Sequence, residues 1–216
     1  MKTEHPVLVV VDVNRTHFDM DLNYLPVPRE DAERILDLLP RKVLPTFRKR
    51  NLPVIFIKTM HRQFPDTRAA MSTASPFWKY QMEKKAVAGV QQKRKALAIE
   101  GSPAVEIMPQ LDRRPEDIVV VKQRYSPFLN TDLDLVLRAL KADTLFLVGA
   151  NTNNCVLSTA FEAFNRDFKV VLIEDCCASM NGPRFHELGV NQIRASLGWV
   201  IRSEELEDVL DSDPFS

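Results

Sequence analysis

Three residue types suited to acyl-transfer chemistry stand at the ends of apolar runs in this sequence. Asp12 closes the run in VVVDVNRTHFD, Lys122 closes the run in VVVKQRYSPF, and Cys155 follows another in VGANTNNCVLS. A thiol supplies a nucleophile, a carboxylate carries its proton, and an ammonium holds the negative charge that attack creates. Cys155 falls in the first turn of an expected helix, after a polar loop. Unpaired amides and the helix dipole favour a thiolate there, and the same amides suit a developing oxyanion. On this reading Lys122 lowers the thiol pKa further, while burial beside the thiol raises the pKa of Asp12 so that it can act as a base. The alternative for Cys155 is a small core residue, the usual role of a lone cysteine.

Several side chains near these strand ends are candidates to contact a substrate: Asn14, His17, Phe18, His61, Arg124 and Tyr125, with Arg62 beside them. An arginine in such a place pairs a carboxylate with two parallel hydrogen bonds. Each is equally open as a surface or packing residue. His186 reads as structural, Asn153 and Asn154 as caps of the Cys155 helix, and Cys176 and Cys177 as packing residues, one facing a helix layer.

Bringing an acid, an amine and a thiol together requires a frame. Short β-branched apolar runs recur at Val7–Val11, Val54–Ile57, Ile118–Val121, Thr144–Val148, Val170–Ile173 and Trp199–Ile201. They are continuous rather than alternating, as strands covered on both faces are. Amphipathic stretches lie between most of them. Leu133, Val136, Leu137 and Leu140 share a helical face, with Thr131 and Asp134 spaced as a capping box. Arg29–Leu39 and Lys42–Arg50 read as helix interrupted near Pro40 and Pro45, and Val156–Asn165 and Phe185–Leu197 supply two more. The alternation predicts an α/β fold, a Rossmann-like doubly wound sheet in a three-layer α/β/α sandwich, within one domain spanning 1–216. In such sheets ligands bind at the carboxyl ends of strands, where Asp12, Lys122 and Cys155 fall. The interval from Met60 to Asp117 breaks the rhythm. Its aromatic cluster (Phe64, Phe77, Trp78, Tyr80) and its basic stretch (Lys84, Lys85, Lys93, Arg94, Lys95) read as a lid or oligomer contact, or as a solvated charged helix.

Composition excludes other classes. The 29 basic and 29 acidic residues cancel, whereas a non-specific nucleic-acid binder needs a positive excess. Only 6 glycines are present, and neither GxGxxG nor GxxxxGK[ST] occurs, so glycine-built phosphate loops are absent. GxSxG, the nucleophile elbow of serine hydrolases, is missing too. The 3 cysteines make no disulfide framework and no zinc pattern. The short charged N-terminus does not read as a signal peptide, and no apolar run is long enough for a membrane span. A cytoplasmic protein without a membrane partner is expected.

The motifs, taken together, resemble the isochorismatase-like cysteine hydrolases, the family of nicotinamidases, N-carbamoylsarcosine amidases, biuret hydrolases and ureidoacrylate hydrolases. The resemblance runs through VVVDVNRTHF, EGSPAVEIMPQL, VVVKQRYSPFLNTDLDLVLRAL and VGANTNNCVLSTAFEAFNRDFKVVLIEDCCAS, with the Asp, Lys and GxxTxxCV elements in the family's order. It implies a six-stranded parallel sheet of order 3-2-1-4-5-6 and a catalytic triad of Asp12, Lys122 and Cys155. It also implies a cis peptide at Ala150–Asn151, an oxyanion hole from the amides of Asn151 and Cys155, no cofactor, and a homo-oligomer (dimer or tetramer). Lys122 would then have to reach past the second strand. The zinc-bearing members carry Asp-x-His…His after that strand; this chain has Thr59-Met60-His61 there, so no metal is expected. The usual Gln-Asn-x-Phe is altered to Asn14-Arg15-Thr16-His17-Phe18. The implied reaction is hydrolysis of a C–N bond in a small amide, carbamoyl or ureido compound through a thioester. Alternatives are vinyl-ether hydrolysis, a papain-like Cys155–His186 pair, and a non-catalytic small-molecule binder.

Overall fold

The six apolar runs pair side by side in parallel, the central four burying residues on both faces and the edge strands less completely. The computed structural model describes residues 3–62 and 98–212. Strands β1 (Pro6–Val11), β2 (Val54–Thr59), β3 (Ile118–Lys122), β4 (Thr144–Ala150), β5 (Lys169–Ala178) and β6 (Trp199–Ile201) form one sheet of order β3-β2-β1-β4-β5-β6. All five pairings are parallel. The order reverses between β1 and β4, which places the carboxyl ends of those strands at the topological switch point.

Side chains alternate between the two faces, as a period of two dictates. Leu8, Val10, Phe56 and Phe146 pack on one side with Ile35, Leu39 and Phe47 from helices α2 (Arg29–Leu38) and α3 (Leu44–Lys49) and the turn that joins them. Val7, Val9, Val11 and Leu147 pack on the other side. There they meet α4 (Leu133–Ala139), α5 (Leu157–Phe164) and α6 (Pro183–Ser196). The short helices α1 (Arg15–Phe18) and α7 (Leu206–Asp211) complete the layers.

Three local expectations are corrected. The α-helix is interrupted at Pro40, where residues Leu39–Val43 open into a π-helical turn, but not at Pro45, which sits in the first turn of α3 where its missing N–H costs nothing. The capping box at Thr131 and Asp134 does not form. Thr131 Oγ1 accepts from the Leu133 amide (3.2 Å) and donates to the Pro127 carbonyl, while Asp134 lies 3.6 Å from Arg166. β5 runs five residues past Ile173, because after a register shift it pairs with β4 again at Cys177 and Ala178, while Asp175 between is held by the Ser203 amide and hydroxyl (2.8 and 2.7 Å). Cys176 and Cys177 therefore sit inside that strand, both buried, and face opposite helix layers. The aromatic cluster from Phe64 to Tyr80 and the basic stretch from Lys84 to Lys95 lie outside the described residues. No helix among the described residues is long and apolar enough to cross a membrane.

Candidate active site

β1 and β4 approach each other unusually closely at their carboxyl ends. Gly149 pairs with Val11, and a Cβ on Gly149 would stand 2.0 Å from the Val11 carbonyl oxygen. Gly149 also has a φ of +112°, a conformation closed to side chains with a Cβ. On β1 the next residue, Asp12, turns the chain outward in the left-handed region at φ 51°, which aspartate tolerates better than most residues. On β4 the strand leads through a cis Ala150–Asn151 peptide into a π-helical turn, Thr152–Val156, that continues as α5.

That turn is held from several directions. The Asn151 carbonyl accepts from the amides of Asn154 (3.0 Å) and Val156 (3.1 Å), and its side-chain Oδ1 accepts from the Met180 amide (2.7 Å). Ser179 Oγ donates to Asn153 Oδ1 at 2.6 Å. Asn153 is thus a tie to the end of β5 rather than a helix cap, and Asn151 occupies the cap position. The His186 ring meets Thr152 Oγ1 at 2.8 Å. Gly189 lets α6 lie against the turn, since a Cβ there would be 2.9 Å from the Thr152 carbonyl.

The structure brings Asp12, Lys122 and Cys155 together. Lys122 Nζ lies 2.7 Å from Asp12 Oδ2 and donates to Cys155 Sγ at 3.2 Å. All three are buried: Asp12 is 0% exposed, Lys122 1% and Cys155 5%. The lysine does reach past β2, a span of about 10 Å for two strand spacings. It does so over Thr59, its register partner, whose Oγ1 accepts from Nζ at 2.7 Å while its amide donates to Asp12 Oδ1, also at 2.7 Å. The Arg124 carbonyl accepts a further bond from Nζ at 3.1 Å. Thr59 was missed as a site residue. Its one signal in the sequence is its place at the end of β2, two residues before His61.

The protonation states differ from expectation. Burial pushes the Cys155 thiol up to about 12, which the pull of Lys122 does not offset. Burial also pushes against an ionised Asp12, but Lys122 beside it wins and holds the carboxyl below its ordinary range. Lys122 itself pays for burial yet is raised to about 12 by Asp12 and Cys155. The resting site is therefore a carboxylate–ammonium pair beside a neutral thiol. The expected thiolate stabilised at a helix end is not what this buried position holds.

The other candidates scatter. His17 is buried beside the pair, with Nδ1 2.8 Å from the Leu25 carbonyl, and burial lowers its pKa. Asn14 is buried as well. Phe18 is a core residue on the α2 side of the sheet. His61 is half-buried at the end of β2, and burial, then Arg124, lower its pKa to about 4. Arg124 contributes its carbonyl to the lysine and donates from Nη1 to the Gln123 carbonyl (2.8 Å). Tyr125 packs against the core on the α4 side, and Arg62 is exposed. Among the described residues no group of three or more His, Cys, Asp or Glu could hold a metal ion.

A sequence profile of the isochorismatase domain matches residues 6–205. The chain belongs to the isochorismatase family. This isochorismatase-family chain is similar to the ureidoacrylate amidohydrolase RutB of Methylorubrum extorquens, with 28% identity over 207 residues, 96% of this chain and 83% of that protein. Among solved structures, an isochorismatase-like hydrolase from Alkaliphilus metalliredigens has the same fold, with a TM-score of 0.75 and 24% identity over 95% of this chain and 97% of that one. The N-carbamoylsarcosine amidase of Thermoplasma acidophilum is 27% identical, with a TM-score of 0.69 over 94% of this chain and 99% of that one.

Proposed function

We propose that this isochorismatase-family protein is a cysteine-dependent amidohydrolase of small amides, carbamoyl or ureido compounds. One observation carries the reading: a single buried ammonium, Lys122 Nζ, lies within hydrogen-bonding distance of both a carboxylate and a thiol. The kinship with a ureidoacrylate amidohydrolase and an N-carbamoylsarcosine amidase supports C–N bonds as the target.

In the scheme, Cys155 Sγ attacks the substrate carbonyl while its proton passes to Asp12. With the thiol pKa at about 12, the transfer accompanies S–C bond formation rather than preceding it. Lys122 stays an ammonium throughout, so its charge serves the carboxylate first and the developing negative charge afterwards. The net charge of the buried cluster is conserved. The oxyanion rests on the amides of Asn151 and Cys155 at the start of the turn. Collapse breaks the C–N bond, Asp12 returns the proton to the departing nitrogen, and ammonia or an amine leaves a thioester on Sγ. Asp12 then takes a proton from water, hydroxide adds to the thioester, and the sulfur departs and recovers its proton.

The test is ammonia release from a panel of amides and ureides, with mass spectrometry of enzyme quenched during turnover. An acyl adduct on Cys155 is expected, and Cys155→Ala should lose activity while keeping its melting temperature within a few degrees. Turnover by Cys155→Ala at the wild-type rate would refute the covalent scheme.

A further inference from the structure

The loop that carries Asp12 holds a second buried polar group that this scheme leaves idle. Asn14 is 1% exposed, and among the described residues neither its Oδ1 nor its Nδ2 has a hydrogen-bond partner. Its backbone, by contrast, is firmly placed. Asn14 bridges to Ile107, its carbonyl accepts from the amides of His17 and Phe18 (3.1 Å each), and the flanking Val13 carbonyl accepts from Met108 (3.1 Å). A carboxamide with both ends buried and unpaired is uncommon, because donor and acceptor have given up water without replacement. A bound ligand that supplies the missing partners accounts for it. Asn14 stands two residues after Asp12, on the segment that leaves β1 at the switch point of the sheet.

His17 narrows the chemistry. The Leu25 carbonyl can only accept, so Nδ1 carries the proton and Nε2 is left as an acceptor. The segment that follows the carboxylate thus carries two neutral acceptors, Asn14 Oδ1 and His17 Nε2, and one neutral donor, Asn14 Nδ2. That set matches a neutral group with extra N–H bonds better than a hydrocarbon chain.

Resting on the amidohydrolase reading above, we propose that Asn14 is a specificity residue that selects ureido compounds over simple amides. Its Oδ1 accepts from the N–H that distinguishes a ureide from an amide, and its Nδ2 donates to the carbonyl or carboxylate oxygen that follows. A site built to pair an N–H discriminates strongly against an analogue that lacks it.

The test uses matched pairs that differ only by NH against CH2: N-carbamoylglycine and succinamate, N-carbamoyl-β-alanine and glutaramate, biuret and malonamide. The wild-type enzyme should favour the ureido member of at least one pair by about 100-fold in kcat/KM. Asn14→Leu, close in shape but without donor or acceptor, should reduce that preference to about threefold or less. Asn14→Ala provides the same reading if the leucine variant does not fold. A purely structural Asn14 would lower both members of a pair alike and leave the ratio unchanged, which overturns the proposal. So does a wild-type enzyme that hydrolyses both members equally, and in either case the amidohydrolase reading stands. No turnover of all six compounds overturns both.

Discussion

Lys122 and Thr59 face each other in the β2–β3 register, and the threonine hydroxyl accepts from the lysine ammonium at 2.7 Å. This contact explains how a lysine on the edge strand serves a carboxylate two strands away. Thr59 fills the gap with an acceptor, and its own amide fixes Asp12 at 2.7 Å. Thr59→Val keeps the shape and the amide but removes the hydroxyl. A hydrogen bond to a charged group contributes about 1.5–3 kcal/mol, so destabilisation of that order is expected, with kcat reduced more than KM. Urea melts and steady-state kinetics check both, and unchanged kcat would remove Thr59 from the site.

Removing either charge of the Asp12–Lys122 pair leaves the other buried alone. Lys122→Met and Asp12→Asn should each abolish activity, and each should cost about 3–5 kcal/mol of stability. The double variant should be more stable than the sum of the single losses implies, because no buried charge remains. Additive losses in denaturation would show that the two groups do not interact.

The pH profile follows from the directions of the shifts. Asp12 is held below its usual range, Lys122 and Cys155 are raised to about 12, and His17 and His61 are lowered, the latter to about 4. Every one of these shifts moves its group away from neutrality, so kcat/KM should show no limb between the ordinary imidazole pKa of about 6.5 and alkaline pH. A limb near pH 7 would instead indicate an imidazole base, such as His186. The stability that Asp12 contributes is present above the ordinary carboxylate pKa of about 3.9 and lost as pH falls below it. The contributions of Lys122 and Cys155 are present below their ordinary values and lost as pH rises toward about 12.

A neutral buried thiol also sets its reactivity. Alkylation of Cys155 by iodoacetamide at pH 7 should be slower than that of an exposed cysteine and should rise about tenfold per pH unit above it. Rapid labelling at neutral pH would indicate a preformed thiolate.

Gly149→Ala would drive a methyl group into the Val11 carbonyl, 2.0 Å away, at a backbone angle that alanine avoids. Separation of β1 from β4 is expected, with a loss of about 3 kcal/mol or more and with Asp12 drawn away from Cys155. Wild-type stability in a thermal melt would contradict that close approach.

Much of this molecule is written locally. Six β-branched runs with helical stretches between them determine a covered parallel sheet, because apolar periodicity is a property of neighbours in the chain. The motifs around Asp12, Lys122 and Cys155 likewise identify the family, and their places at strand ends direct them to one edge. What residues do there is decided by neighbours distant in sequence. The carboxylate expected to be raised is lowered because Lys122 lies 2.7 Å away, and the thiol expected to be lowered is raised because the turn buries it. Phe18, two steps beyond Thr16 in the same short helix, belongs to the core, whereas Asn14 keeps an amide with no partner among the described residues. Thr59 acquires its role only through the β2–β3 register. Charge states and hydrogen-bond partners depend on distances between strands and on exclusion of water, and only the tertiary structure decides those.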